Sequence, residues 1–159
     1  METAPKCFVA YASAIPGSGD AIEAAIGELQ DGGLVSIRSW RSLPIGGNLV
    51  IETICDEIRT CDLFIADVTL LNPNVLFELG YAIAQRKSIY ILYDPSFARA
   101  SADFEQFQTI TTLGYVRYSN SGDIVTAFYR DQPYIDDREK LLDQFKRSGN
   151  DQGTIDHLL

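Results

Sequence analysis

An apolar run, Leu63-Phe64-Ile65-Ala66-Asp67-Val68, is followed within a few residues by Asn72-Pro73-Asn74-Val75-Leu76-Phe77-Glu78-Leu79-Gly80-Tyr81-Ala82. The run is short, bounded by turn formers and rich in β-branched and aromatic residues, so it reads as a buried strand; the segment after it has helical spacing. A strand, a short loop and a helix in that order deliver whatever the helix carries to the mouth of a sheet. Asn72 can cap the helix with Pro73 at its first position, or Asn74 can cap it directly. Either way Glu78 lies one to two turns inside, on a face with Asn74, Tyr81, Ala82 and Gln85, while Val75, Leu76, Leu79 and Ile83 form the stripe expected to dock on the sheet.

The rest of the chain repeats this alternation. Cys7 to Tyr11 reads as a first strand entering a Gly-rich loop, Gly17 to Asp20, with Asp20 as the cap of a helix that ends at Gly32-Gly33. Leu34 to Trp40 reads as a second strand, with Leu34, Ile37 and Trp40 among its apolar positions. Arg41 to Gly47 is a turn-rich loop, and Asn48 is the expected cap of a helix carrying Val50, Ile51, Ile54, Cys55 and Ile58. Ser88 to Tyr93, Tyr115 to Tyr118 and Ile124 to Tyr129 supply a fourth strand, an edge strand and a closing helix; residues 101 to 110 read as a further short helix. Parallel neighbours need crossover helices, so the pattern predicts an α/β, flavodoxin-like three-layer sandwich with a five-stranded parallel sheet of order 2-1-3-4-5.

In such sheets ligands bind beyond the carboxyl ends of the strands, at the switch point. That rule gathers Tyr11, Ser13, the Gly17 to Asp20 loop, Trp40 to Gly47 with Arg41 in it, Asp67, Asn72, Asn74 and Glu78 on one rim. Trp40 and Tyr81 read either as core aromatics or as stacking on an aromatic base, Arg41 either as a solvated loop cation or as a diphosphate partner, and Asp67 either for a proton-transfer role or for accepting loop N–H groups. Residues 1–132 are expected to form this domain, and 133–159 a charged helix and linker leading to a second domain that has been cut away.

Composition removes several classes of function. A formal net charge of −9 with no Lys/Arg cluster opposes a nucleic-acid backbone or an anionic membrane as partner. Cys7, Cys55 and Cys61 sit in or beside apolar runs, as free thiols in a reducing, cytoplasmic compartment would, and no transmembrane-length run or signal-peptide core interrupts the chain. With one His, His157, and no Cys/His spacing of a zinc site, neither a metal centre nor a His-based triad is expected.

Three boxes then carry a resemblance. Lys6-Cys7-Phe8-Val9-Ala10-Tyr11-Ala12-Ser13, the loop Ser39 to Gly47 before the helix Ile51 to Arg59, and Cys61 to Val68 followed by Phe77-Glu78-Leu79 resemble Toll/interleukin-1 receptor (TIR) domains over roughly residues 6 to 130. Pro73 to Gly80 is similar to bacterial TIR-like domains used as antiphage effectors, whereas the late Phe-Trp box of receptor TIR domains is missing. This resemblance implies NAD as the substrate, no cofactor, Glu78 as the catalytic carboxylate, self-association through TIR–TIR contacts, and a partner or sensor domain beyond the C-terminus. The loop residues Leu43, Pro44, Ile45 and Gly46 combine apolar side chains with a Gly-Gly pair, and are read as either the assembly contact or a turn whose Leu and Ile fold back into the core. Glu78-Leu79-Gly80-Tyr81-Ala82 also resembles nucleoside 2-deoxyribosyltransferases, which implies the same Glu as nucleophile at the sugar of a nucleoside. NAD glycohydrolase, nucleoside N-glycosidase and non-catalytic TIR interaction module are therefore the three expectations. The absence of any acidic residue between Val68 and Phe77 favours the first, because a pyridinium leaving group needs no proton.

Overall fold

The structure is a computed structural model that describes residues 4–13, 17, 19–43, 50–96 and 114–135. Five parallel strands form one sheet: β1 (Lys6–Ala10), β2 (Ser36–Ser39), β3 (Leu63–Asp67), β4 (Ser88–Tyr93) and β5 (Val116–Arg117), in the order β2-β1-β3-β4-β5. The expected α/β architecture and strand order are those observed. The central register pairs Phe8 with Phe64 and Ala10 with Ala66, and Ala66 with Ile91.

Strand parity sorts the core into two layers. Phe8, Phe64, Val68 and Ile91 point to a layer completed by α2 (Val50–Thr60) and α3 (Pro73–Ala84) through Ile54, Ile58, Val75, Leu79 and Ala82. Val9, Leu63, Ile65 and Leu92 point to the other, closed by α1 (Asp20–Asp31) and α4 (Ser121–Asp131) through Ile22, Ile26, Leu29, Ile124 and Phe128. Fully buried side chains such as Phe64 and Ile58 each stabilise the fold by about 1.5–3 kcal/mol relative to an exposed position. Cys7 and Cys61 are buried free thiols, pushed up to about 12 and about 11 mainly by burial. Among the described residues no helix is long and apolar enough to cross a membrane.

Several local expectations are corrected. Gly19, not Asp20, precedes the first helical residue of α1, and a Cβ at position 19 would lie 2.5 Å from the Tyr11 ring, so only glycine lets the helix start against that aromatic. Leu34 is exposed, and Val35 and Ile37 fill the β2 core positions instead. Trp40 leaves the strand and begins a single 3-10 turn, Trp40–Ser42. Val50 and Ile51 on α2 and Ile83 on α3 are exposed, because these helices bury a narrower stripe than their apolar content predicts. Asn48, the expected helix at 101 to 110 and the C-terminal segment from 136 onward lie outside the described residues.

Candidate active site

The loop between β3 and α3 fixes how Glu78 is presented. Leu71 adopts a φ of 45°, a left-handed conformation that costs a non-glycine residue about 1–2 kcal/mol. Its N–H donates to the Val68 carbonyl at 3.1 Å, closing a tight turn that brings Asn72 to the head of α3. The Asn72 side-chain oxygen accepts from the N–H groups of Asn74 at 2.9 Å and Val75 at 3.4 Å, and Pro73 occupies the first helical position. Of the two caps open in the sequence, the structure thus uses Asn72, a bond whose removal costs about 1 kcal/mol in typical helices. One and a half turns on, Glu78 stands at the inner edge of the helix.

Glu78 is 8% exposed and helps line a cavity of about 240 Å³ at the carboxyl end of the sheet. Tyr11, Ala12 and Ser13 follow β1 into its wall, Trp40 and Leu43 come from the segment after β2, Val50, Thr53 and Ile54 from α2, and Asn72, Asn74 and Val75 from the head of α3. Glu78 is the one acidic side chain among the described residues of this lining, and no described residue donates a hydrogen bond to it. Burial alone therefore acts on the carboxyl, raising its pKa from 4.5 to about 7. The carboxylate form carries a desolvation penalty there, which a cation or an electron-poor carbon entering the cavity would relieve.

Tyr11 is held from behind. Its hydroxyl donates to Glu23 on α1, and Ser39 donates to the same carboxylate oxygen at 2.9 Å. Burial, followed by this hydrogen bond, raises the phenol pKa, so Tyr11 remains a donor. Its ring lies 6.1 Å from that of Trp40, and the Arg41 guanidinium carbon sits 5.7 Å from both ring centroids. Glu23 was not anticipated as a site residue; its position in the first turn of α1, after the Gly-rich loop that follows the Tyr11 strand, was the available signal.

The structure brings Tyr11, Ser13, Trp40, Asn72, Asn74 and Glu78 together, while Arg41 is not part of the lining and lies over the Tyr11 and Trp40 rings that are. It does not bring in Tyr81, whose half-buried ring stacks on exposed Phe77 at 6.5 Å and 9° on the flank of α3. Asp67 is also absent from the lining. It is 2% exposed, shares strand parity with Leu63 and Ile65, and accepts from the Thr69 N–H at 3.1 Å and from the Thr69 hydroxyl. Thr69 Oγ1 in turn accepts from the Asp94 N–H at 2.9 Å. Asp67 is thus a brace for the ends of β3 and β4, with a pKa raised to about 6, chiefly by burial. Leu43, read either as part of an assembly tip or as folded back into the core, is buried in the α2/α3 layer, the second of these alternatives. Pro44, Ile45 and Gly46 lie outside the described residues. No group of His, Cys, Asp and Glu suited to a metal ion occurs among the described residues.

No family model matches the chain, and no curated protein does. Among solved structures it is similar to the CMP N-glycosidase BcmB of Clostridium botulinum, with 22% identity, 77% of this chain and 96% of that one covered, and a TM-score of 0.56. It is also similar to the 2-deoxyribosyltransferase of the psychrotolerant bacterium Bacillus psychrosaccharolyticus, with 16% identity, 76% and 90% covered, and a TM-score of 0.55. Neither of these is a TIR domain, and at such identities what the chain shares with them is the fold.

Proposed function

We propose that this protein is an N-glycosidase that breaks the ribosyl C–N bond of a nucleoside or nucleotide, with Glu78 facing the anomeric carbon. The observation that carries this reading is the Glu78 carboxyl itself, buried in a cavity wall with no described hydrogen-bond donor. As the C–N bond lengthens, positive charge develops on the sugar, and an under-solvated anion stabilises it far more than the neutral ground state. Attack of the carboxylate on C1′ expels the base with the bonding electron pair, and the base takes a proton from solvent; water then cleaves the glycosyl ester and restores the carboxylate. No cofactor enters this sequence.

The fold likeness supports a nucleoside or nucleotide over a TIR-type reaction, which reverses the preference drawn from the sequence boxes. The cavity volume agrees with that scale. About 240 Å³ is below the roughly 300–1,000 Å³ typical of drug-sized ligands, so the described walls suit one nucleoside-sized moiety rather than a whole dinucleotide. A second reading, cleavage of the nicotinamide–ribose bond of NAD, retains one specific support: Glu78 is the one described acid in the lining, and a pyridinium leaves without a proton donor. Incubating the protein with CMP, dCMP, deoxyadenosine and NAD, and resolving free base from nicotinamide by chromatography, separates the two readings. Release of base from CMP, dCMP or deoxyadenosine supports the first, and release of nicotinamide alone the second.

A further inference from the structure

The described cations of this acidic chain are mostly engaged. Arg38 pairs with Glu57 at 2.9 Å, Arg59 with Asp56, and Arg130 with Asp131 at 2.6 Å, while Lys87 donates to the carbonyls of Arg59 and Cys61. Arg41 differs. Its side chain is exposed, forms no ion pair among the described residues, and lies over two aromatic rings that themselves line the cavity. The 3-10 turn fixes it there: the Ser42 hydroxyl donates to the Ser39 carbonyl at 2.7 Å, and the Leu43 N–H to the Trp40 carbonyl at 3.2 Å.

A guanidinium held over aromatic faces keeps N–H groups available for bidentate binding of an oxyanion. The setting demands such a group. A net charge of −9 and the Glu78 carboxylate both repel an anionic ligand from this cavity, and a phosphorylated substrate enters only if a cation at the edge offsets that field.

We infer that Arg41 is the specificity-determining residue that selects a substrate bearing phosphate on the ribose 5′-oxygen over the free nucleoside. The proposal rests on the cavity being a ribosyl site, and its chemistry is common to a nucleoside 5′-monophosphate and to the nicotinamide ribose of NAD. Lysine would retain the charge but lose the fork and the stacking, so R41K is expected to fall between wild type and R41A.

Trp40 is the single tryptophan of the chain, which gives a binding readout independent of turnover. Ribose 5-phosphate and ribose are titrated against Trp40 fluorescence in wild type, R41K and R41A. Wild type should bind ribose 5-phosphate at least tenfold more tightly than ribose and at least tenfold more tightly than R41A does, with the affinity falling as salt rises. Equal affinity of wild type and R41A for ribose 5-phosphate overturns the proposal. For substrates that are cleaved, the kcat/KM ratio of CMP to cytidine, and separately the rate on NAD, identifies which phosphate ester is used; the CMP-to-cytidine ratio should drop at least tenfold in R41A. If no substrate is cleaved, the N-glycosidase reading fails, and the fluorescence titration still decides the role of Arg41 by itself.

Discussion

Asp67 and Glu78 belong to one strand–loop–helix unit and serve opposite faces of the sheet. Asp67 ends β3 in register with Leu63 and Ile65, on the α1/α4 side, and bonds Thr69; Glu78 rides on α3 and lines the cavity on the α2/α3 side. Two acids that look interchangeable in the sequence therefore differ in place: one braces the strand ends, the other lines the cavity.

Asp67→Asn tests this division. An amide oxygen still accepts from the Thr69 N–H and hydroxyl, so turnover should stay within about threefold of wild type, whereas loss of a general acid costs about 10²–10⁴ in rate. Steady-state kinetics on whichever substrate is cleaved decides between them, and a loss of that larger size would place Asp67 in the chemistry.

Glu78→Gln should stabilise the protein in alkali. The folded pKa of about 7 exceeds the usual 4.5, so the folded state prefers the protonated acid. That stability is fully present below pH 4.5 and is lost as pH rises through 7, a deficit of about 3 kcal/mol at pH 8 and less than about 1 kcal/mol at pH 5. The neutral amide escapes this deficit. Denaturant midpoints at the two pH values should show the variant ahead of wild type at pH 8 and nearly level with it at pH 5; no difference at pH 8 would mean that the carboxylate is better solvated than its burial implies.

Much of this arrangement was legible in the sequence, and the errors have common causes. Asn72-Pro73 was one of two caps open for α3 and is the one used, and the rule for carboxyl ends of parallel strands located the cavity with Tyr11, Ser13, Trp40 and Asn74 on it. The parity that separates Asp67 from Glu78 was also readable, since Leu63, Ile65 and Asp67 alternate with Phe64 and Ala66. Which helix layer each parity meets depends on the crossovers, and those are tertiary. For Tyr81 and Leu43 the sequence left two alternatives each, and the structure takes the core one, because a helix flank and a loop apolar residue look alike in sequence whether they turn to a ligand, a neighbour or the core. The sequence placed Glu23 at the head of α1 but not against its partners, Tyr11 and Ser39, which come from two other strand ends.

The pH dependence of turnover follows from the same burial. If Glu78 must be ionised to act, kcat/KM rises tenfold per pH unit below about 7 and levels above it. A rate at pH 5 about a hundredfold below the plateau is the expected result, and a profile flat from pH 5 to pH 8 would assign the chemistry to another group.

The central claim is that the charge of Glu78 drives C–N cleavage, and its most direct measurement is base or nicotinamide release by wild type and by Glu78→Gln at pH 8, with folding of both checked by thermal melts. The amide has nearly the same shape and lacks the anion, so release should fall by at least a hundredfold, about 2.7 kcal/mol of lost transition-state stabilisation, in a variant that melts no lower than wild type. Retention of more than about a tenth of wild-type turnover, equivalent to ~1.4 kcal/mol, would contradict the account.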